Sequence, residues 1–459
     1  MMQIIIVGCG KIGRMLTVQL SNDGNNVTVV DTNADIVRDI STQVDVMGVV
    51  GNGTSYSTLK DAGLEDTDIL IAVTASDEVN LLTCVIAQQK SNCHTIARVR
   101  NPIYSEERHF LRSELHLSMT INPELEAARE IMNLIRFPNA IEVDSFSNDR
   151  IDLLRFRIPE DSKLDGIVLK DAAQKIGNDV LVCIAERGNE TLIPNGDYQV
   201  RSGDVLTIII APWKANEFFH KCGVRSRRIH SVMIVGGGEI SYYLVKMLLK
   251  ERIEVKLIER DRKRCEELND EFPDATVICA DGTNQAVLAE EQIDDMDAFV
   301  ACTGIDEINV ILSMYAQEHV QKKCITKINR ISENEILTKL DLDTIVDPKK
   351  ITSQRIARYV RATGNSMDSN VETLYRLLDN RVEALEFIIR PHSKIIGINL
   401  QDMPLKDNVL VAGILRDGKL IIPRGQDSFQ ENDAVIIVTT HLGFHDIRDI
   451  LKNPDSLRQ

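Results

Sequence analysis

Basic residues are fewer than acidic ones in this chain. Lys and Arg number 53 against 69 Asp and Glu, a formal net charge of −16. That balance argues against a nucleic-acid-binding surface, which needs clustered cations to neutralise phosphates. The one tight basic run, Arg225-Ser226-Arg227-Arg228, reads as a solvated linker. Long apolar runs are missing too. The longest are strand-like, such as Val205-Leu206-Thr207-Ile208-Ile209-Ile210, far short of the roughly 20 residues of a membrane span. The chain opens on a strand pattern rather than on a basic and then apolar leader, so a cytoplasmic location is expected, with any membrane role running through a partner. The nine cysteines form no C-x-x-C pair, which fits buried thiols in a reducing compartment.

Familiar catalytic signatures are also lacking. There is no P-loop and no G-x-S-x-G. His441 and His445 stand four apart without the glutamate of H-E-x-x-H, so no metal site is expected. His94 is expected in a loop just before a strand. No set of histidines or cysteines supplies the positioned acid or base that hydride transfer requires.

What is present begins at the first residues. Ile4-Ile5-Ile6-Val7 runs straight into Gly8-Cys9-Gly10-Lys11-Ile12-Gly13, a G-x-G-x-x-G. An amphipathic segment, Arg14 to Leu20, follows, and then Val27-Thr28-Val29-Val30 ends in Asp31. Strand, glycine turn, helix, strand and acid is the order of a dinucleotide-binding unit. Gly8 makes the tight turn, Gly10 lets backbone approach a pyrophosphate, and Gly13 lets the helix pack on the sheet. The helix start offers unpaired N–H groups and positive potential to phosphates. Asp31 is placed to accept the ribose hydroxyls and to repel a 2′-phosphate, which favours NAD(H) over NADP(H).

The pattern continues with a helix over 33–43 capped by Asn33, a strand over 46–50, and Gly51-Asn52-Gly53-Thr54. A helix over 56–62, a strand over 68–74, a helix over 78–89 capped by Ser76 or Asp77, and a strand over 95–99 follow. Alternation of this kind predicts a doubly wound parallel sheet, with ligands beyond the carboxyl ends of its strands. Gly51, Asn52, Thr74, Ala75 and Arg98 fall near those ends. A helix over 124–137 lies between Pro123 and Pro138. Short strands then dominate, over 153–158, 163–170, 180–186, 192–194 and 205–210, with turns at Arg187-Gly188-Asn189 and Pro194-Asn195-Gly196. This reads as a small α+β domain.

The chain then starts again. Val232-Met233-Ile234-Val235 leads into Gly236-Gly237-Gly238-Glu239-Ile240-Ser241, and Val255-Lys256-Leu257-Ile258 ends in Glu259; Gly8 to Gly236 and Asp31 to Glu259 are both steps of 228 residues. Asp281-Gly282-Thr283 answers Asn52-Gly53-Thr54, Thr303-Gly304 answers Thr74-Ala75, Lys327 answers Arg98, and Asp347-Pro348 answers Asn122-Pro123. Lys394-Ile395-Ile396-Gly397-Ile398 answers Lys163 to Ile167. A two-domain unit has been duplicated. The expected domains are 1–124, 141–224, 229–350 and 371–455. Ser241 replaces the third glycine and Glu259 the shorter acid, so the second cleft is expected to bind nucleotide with weaker or altered preference.

These residues carry a resemblance. With Gly8-Cys9-Gly10-Lys11-Ile12, Asp31, Thr74, Ala75 and Arg98, and with Gly236 to Ile240, Glu259, Asp281, Thr303, Gly304 and Lys327, the chain resembles the TrkA-like regulatory subunits of bacterial Trk-type potassium uptake systems. The resemblance covers essentially the full length. It implies two RCK (KTN) units, each a Rossmann-like NAD-binding domain plus a small α+β C-terminal domain. It implies NAD(H) as ligand, with ATP or ADP as alternatives, and no catalysis. It also implies a peripheral position on the inner face of the membrane, a TrkH/TrkG-like potassium-translocating partner, and a homo-oligomer, expected as a tetramer. An NAD-dependent oxidoreductase and a regulatory subunit of another cation channel or antiporter are the alternatives.

Overall fold

The apolar run at the start of the chain becomes a central strand, Gln3–Val7, whose Ile4, Ile5, Ile6 and Val7 are all buried. A continuous apolar run suits a strand covered on both faces. The computed structural model describes residues 1–106, 113–146, 151–177, 179–188, 190–223, 228–320, 322–329, 340, 342–368, 371–378, 381–391, 393–444 and 446–453. Arg225, Ser226, Arg227, Asn189 and His445, named above, lie outside the described residues. Contacts divide the chain into two units. One holds 1–132 and 230–360, the other 133–229 and 361–459.

In the first unit the first sheet runs Met47–Val50, Asn26–Asp31, Gln3–Val7, Ile69–Ala72, His94–Arg98, Met119–Ile121, with all pairs parallel. The order reverses between Gln3–Val7 and Ile69–Ala72, which opens a crevice at the carboxyl ends. The second half builds the same sheet from Thr276–Cys279, Glu254–Glu259, Ser231–Val235, Ala298–Ala301, Lys323–Lys327 and Thr344–Val346. This is the expected doubly wound fold, twice. One edge strand of each sheet, Met119–Ile121 in the first and Thr344–Val346 in the second, was not foreseen; a strand of three residues leaves little periodicity to read. Asn33 caps its helix by accepting from the N–H groups of Asp35 and Ile36, and Ser76 caps the next by accepting from Val79. His94 is the first residue of its strand rather than a loop residue before it.

The halves interlock within this unit. The helix Pro348–Asp368 of the second half sends Ile356, Ala357 and Val360 into the core of the first, among Ile6, Leu16, Val29 and Ile71. Arg355 reaches Glu126 at 3.3 Å, and the Tyr359 hydroxyl lies 3.4 Å from His94 Nδ1. In the other direction Asn122, at the start of helix Pro123–Arg136, donates to the hydroxyl of Tyr243 at 3.1 Å.

In the second unit each half contributes a small antiparallel sheet of the same order. One runs Ala140–Phe146, Ile151–Arg157, Val205–Ile210, Val180–Arg187, Glu190–Leu192. The other runs Val371–Leu377, Val382–Ile388, Ala434–Thr439, Val409–Arg416, Lys419–Ile421. The two share a core in which Ile184 and Ile209 meet Val382, Ile436 and Val438. Each copy repeats a two-pronged ion pair to a buried carboxylate, Arg187 on Asp204 and Arg416 on Asp433.

One expectation fails here. Residues 163–170 are not a strand. Gly166 takes a φ of +75°, the Ile167 N–H closes a turn onto Leu164, and a helix runs over Leu169–Ile176. Leu169 and Ala172, three apart, face the core, which is a helical spacing.

Two outcomes test this packing. Ile356→Ala is expected to lower unfolding free energy by about 2–5 kcal/mol, the range for truncating a buried branched side chain, measured by urea denaturation. Of the nine thiols only Cys279 is exposed, and burial, aided by Asp31, pushes Cys9 up to about 12. Maleimide added to native protein should therefore label Cys279 and spare the rest until the protein is unfolded.

Candidate nucleotide cleft

The glycine turn owes its shape to steric limits. Gly8 sits at φ +98°, and a Cβ there would meet the Thr74 nitrogen at 2.8 Å. At Gly13 a Cβ would fall 1.9 Å from the Gly8 carbonyl, so the helix lies tight against the turn. At Gly10 a Cβ would meet nothing within 4 Å: this backbone faces open space. Gly10 is also the N-cap of helix Lys11–Asn22 and supplies no side-chain cap. The first N–H groups of the helix are left for an acceptor from outside.

Asp31 holds the turn to the next strand. Its Oδ2 accepts from the Cys9 N–H at 2.7 Å and its Oδ1 from the Asn33 N–H at 2.9 Å. A carboxylate oxygen accepts more than one bond, so these contacts leave capacity for ribose hydroxyls. The sequence suggested the ribose role; the turn-holding role is additional. Cys9 takes part through its backbone, its side chain being buried.

Around the turn lies a cleft of about 730 Å³. It is lined by Gly8, Gly10, Lys11, Ile12, Asp31, Gly51, Asn52, Thr74, Ala75 and Arg98 among the expected residues. Cys9 and Gly13 support it from behind. Arg98 donates from Nη1 to the Thr74 carbonyl at 3.0 Å, while its buried Nε has no hydrogen-bond partner. An orphaned cationic donor, an uncapped helix start and an unobstructed Gly10 fit a phosphate-bearing ligand such as a dinucleotide.

A residue that the sequence reading passed over positions much of this wall. Asn80 is fully buried. Its Oδ1 accepts from the Thr74 N–H and hydroxyl at 2.8 and 2.7 Å, and its Nδ2 donates to the carbonyls of Thr74 and Arg98. Asn309 does the same for Thr303 and Lys327. The repeat of Asp77-Glu78-Val79-Asn80 as Asp306-Glu307-Ile308-Asn309 was the available signal.

The second glycine turn follows the first with changes. Gly236 takes φ +105°, and Glu259 accepts from the Gly237 N–H at 2.6 Å through Oε2. Its Oε1 takes the N–H groups of Arg260 and Asp261. Ser241 is buried and donates to the Gly236 carbonyl at 2.5 Å, so the third-glycine position is filled by a side chain that bonds to the turn. Gly238 caps helix Glu239–Lys250 without a side-chain bond, as Gly10 does. Glu239, the first helical residue in place of Lys11, pairs with Arg264 at 3.2 Å, and Arg264 Nε donates to the Gly237 carbonyl. A carboxylate in the first turn suits the helix dipole but opposes a phosphate there. Ile240 is buried beneath the turn, Asp281 accepts from the Thr283 N–H and hydroxyl, Gly304 faces open space, and Lys327 is buried at a strand end.

This fold and cleft define a class: a tandem chain of two doubly wound nucleotide-fold domains, each followed by a small α+β domain. The TrkA-N domain family matches residues 4–123 and 232–348, and the TrkA-C domain family matches 153–223 and 384–452. The chain belongs to the TrkA family. It is 30% identical over 439 residues to the Trk system potassium uptake protein TrkA of Halomonas elongata, covering 95% of each chain. It is 29% identical over 437 residues to a TrkA homolog of Archaeoglobus fulgidus, covering 95% of this chain and 97% of that one. Among solved structures, the GsuK channel bound to NAD superposes with a TM-score of 0.62 at 15% identity, covering 95% of this chain and 76% of that one. The GsuK RCK domain superposes at 0.61 and 16% identity, covering 95% and 92%. At such identity these two establish the fold.

Asp31→Ala is expected to weaken adenine-nucleotide binding at the first cleft by about 1–3 kcal/mol, through stranded polar partners on ligand and turn alike. Isothermal titration with NADH reads the loss; an unchanged affinity would remove Asp31 from the binding role.

Proposed function

We propose that the protein is a nucleotide-sensing regulatory subunit of a Trk-type potassium uptake system. It binds NAD(H), with ATP or ADP as alternatives, and sets the gate of an integral-membrane potassium-translocating partner. In this reading it carries out no catalysis, lies on the cytoplasmic face of the membrane, and assembles as a homo-oligomer, a tetramer by the family resemblance. The observation that carries the reading is the first cleft, with its uncapped helix start, Asp31 and orphaned Arg98 Nε, in a chain 95% of which aligns with a TrkA protein. Among the described residues no helix is long and apolar enough to cross a membrane, so the reading assigns the ion path to another chain. Among the described residues no group of three or more His, Cys, Asp or Glu could hold a metal ion.

The residues proposed to hold nucleotide are those of the first turn, Gly8 to Gly13, with Asp31, Gly51, Asn52, Thr74, Ala75 and Arg98. Their counterparts are Gly236 to Ile240, Glu259, Asp281, Thr303, Gly304 and Lys327. The proposed domains are 1–124, 141–224, 229–350 and 371–455. Binding acts as a signal through differential affinity: a nucleotide shifts the protein toward whichever arrangement holds it more tightly, and only that difference can drive a partner.

Two measurements test this. Titration calorimetry of the full chain should show binding of NADH and of ATP or ADP; failure of all three sinks the nucleotide reading. Affinity capture from solubilised membranes should yield a potassium-translocating membrane protein, and consistent recovery of a different transporter would reassign the partner. For the second cleft, Glu239→Lys is expected to raise nucleotide affinity by about tenfold by replacing a repelling charge with an attracting one, read as a tighter second step in the same titration.

A further inference from the structure

The first cleft is not built by the first half alone. Asn329, Pro348 and Lys349 of the second half line it beside Gly10 and Lys11. Lys349 is the second residue of the helix Pro348–Asp368, and its N–H donates to Asp347 Oδ1 at 2.8 Å, which fixes the first turn of that helix at the cleft. The same helix is anchored further along in the core of the first half through Ile356, Ala357 and Val360.

Lys349 and Lys11 line the same cleft. Burial, and then the Lys11 charge, depress the pKa of Lys349; Asp347 and Asp306 act in the opposite direction. Two like charges in one cleft repel unless an anion lies between them. Arg98, with its unpartnered Nε, adds a third cation to the lining. The acids of the lining are Asp31, whose two oxygens hold the glycine turn, and Glu124, whose Oε1 accepts from Arg100 Nε at 2.8 Å while its buried Oε2 has no hydrogen-bond partner. Neither lysine is kept by the repeat. The repeat places Glu239 where the first half has Lys11, and Glu124 where the second half has Lys349.

We propose that Lys349, delivered by the second half of the chain, joins Lys11 in a phosphate-reading pair, so that the first cleft ranks adenine nucleotides by phosphate charge. The inference rests on the reading that this cleft binds adenine nucleotides and names what it selects within that class. The pair attracts the pyrophosphate of ADP or NAD(H) and, more strongly, the triphosphate of ATP; it adds little for AMP and nothing for adenosine. Bound phosphate also ties the two halves together, because its ligands come from both.

The test is a titration series of adenosine, AMP, ADP, ATP and NADH on the full-length protein and on Lys349→Gln, Lys349→Arg and, as a neighbouring control, Lys350→Gln. In the native protein affinity should rise from AMP to ATP. In Lys349→Gln the ATP-to-AMP affinity ratio should fall by about 10- to 100-fold, the scale of a lost charge-assisted contact, with adenosine affinity unchanged. Lys349→Arg should restore most of the ratio, and Lys350→Gln should leave it as it was. An unchanged ratio in Lys349→Gln overturns the proposal while leaving nucleotide binding intact. Absence of binding by every ligand to the native protein overturns the underlying reading instead. Should Lys349→Gln lose adenosine as well, Lys349→Met, which keeps the apolar stem, replaces it; adenosine lost there too would make Lys349 a structural residue and overturn the proposal.

Discussion

One hydrogen bond from a backbone N–H to a carboxylate side chain, made once in each half, organises the first unit. The acid at the end of the second strand accepts the N–H of the residue after the first glycine: Asp31 from Cys9 at 2.7 Å, and Glu259 from Gly237 at 2.6 Å. The bond fixes where the glycine turn lies over the sheet, and hence where the following helix starts. The helix start then decides which N–H groups face the cleft. An ionised acceptor makes this bond stronger than a neutral one would. The acid is thus structural before any ligand arrives: the carboxylate at the end of the second strand sets the position of the glycine turn.

The fold was largely legible because its signals are local. A glycine turn, a helical cap at Asn33 or Ser76, and an apolar run such as Ile4 to Val7 each act over a few residues. The repeat reported itself in the same way, through matched motifs. What escaped was small or non-local. The edge strands Met119–Ile121 and Thr344–Val346 have too few residues for a period, and residues 163–170 mixed apolar residues with a turn that only the left-handed Gly166 resolves.

The candidate site divides along the same line. Ten of its expected lining residues came from strand ends and the glycine turn, where sequence order and spatial order agree. Lys349 and Asn329 did not, because nothing local tells that a helix from the second half enters the cleft of the first. Asn80 was missed for another reason. An amide that accepts from Thr74 and donates to the carbonyls of Thr74 and Arg98 resembles, in sequence, any polar residue in a helix's first turn.

Fusion of the two halves into one polypeptide has a consequence for symmetry. In a homodimer of single units every residue at the shared face occurs twice, so a lysine placed opposite a lysine on one side is repeated on the other. Here the corresponding positions have parted, with Lys11 against Glu239 and Lys349 against Glu124. A covalent pseudo-dimer can set a lysine at the helix start of one cleft and a glutamate at that of the other, and so can give its two pockets separate duties that identical subunits could not hold apart.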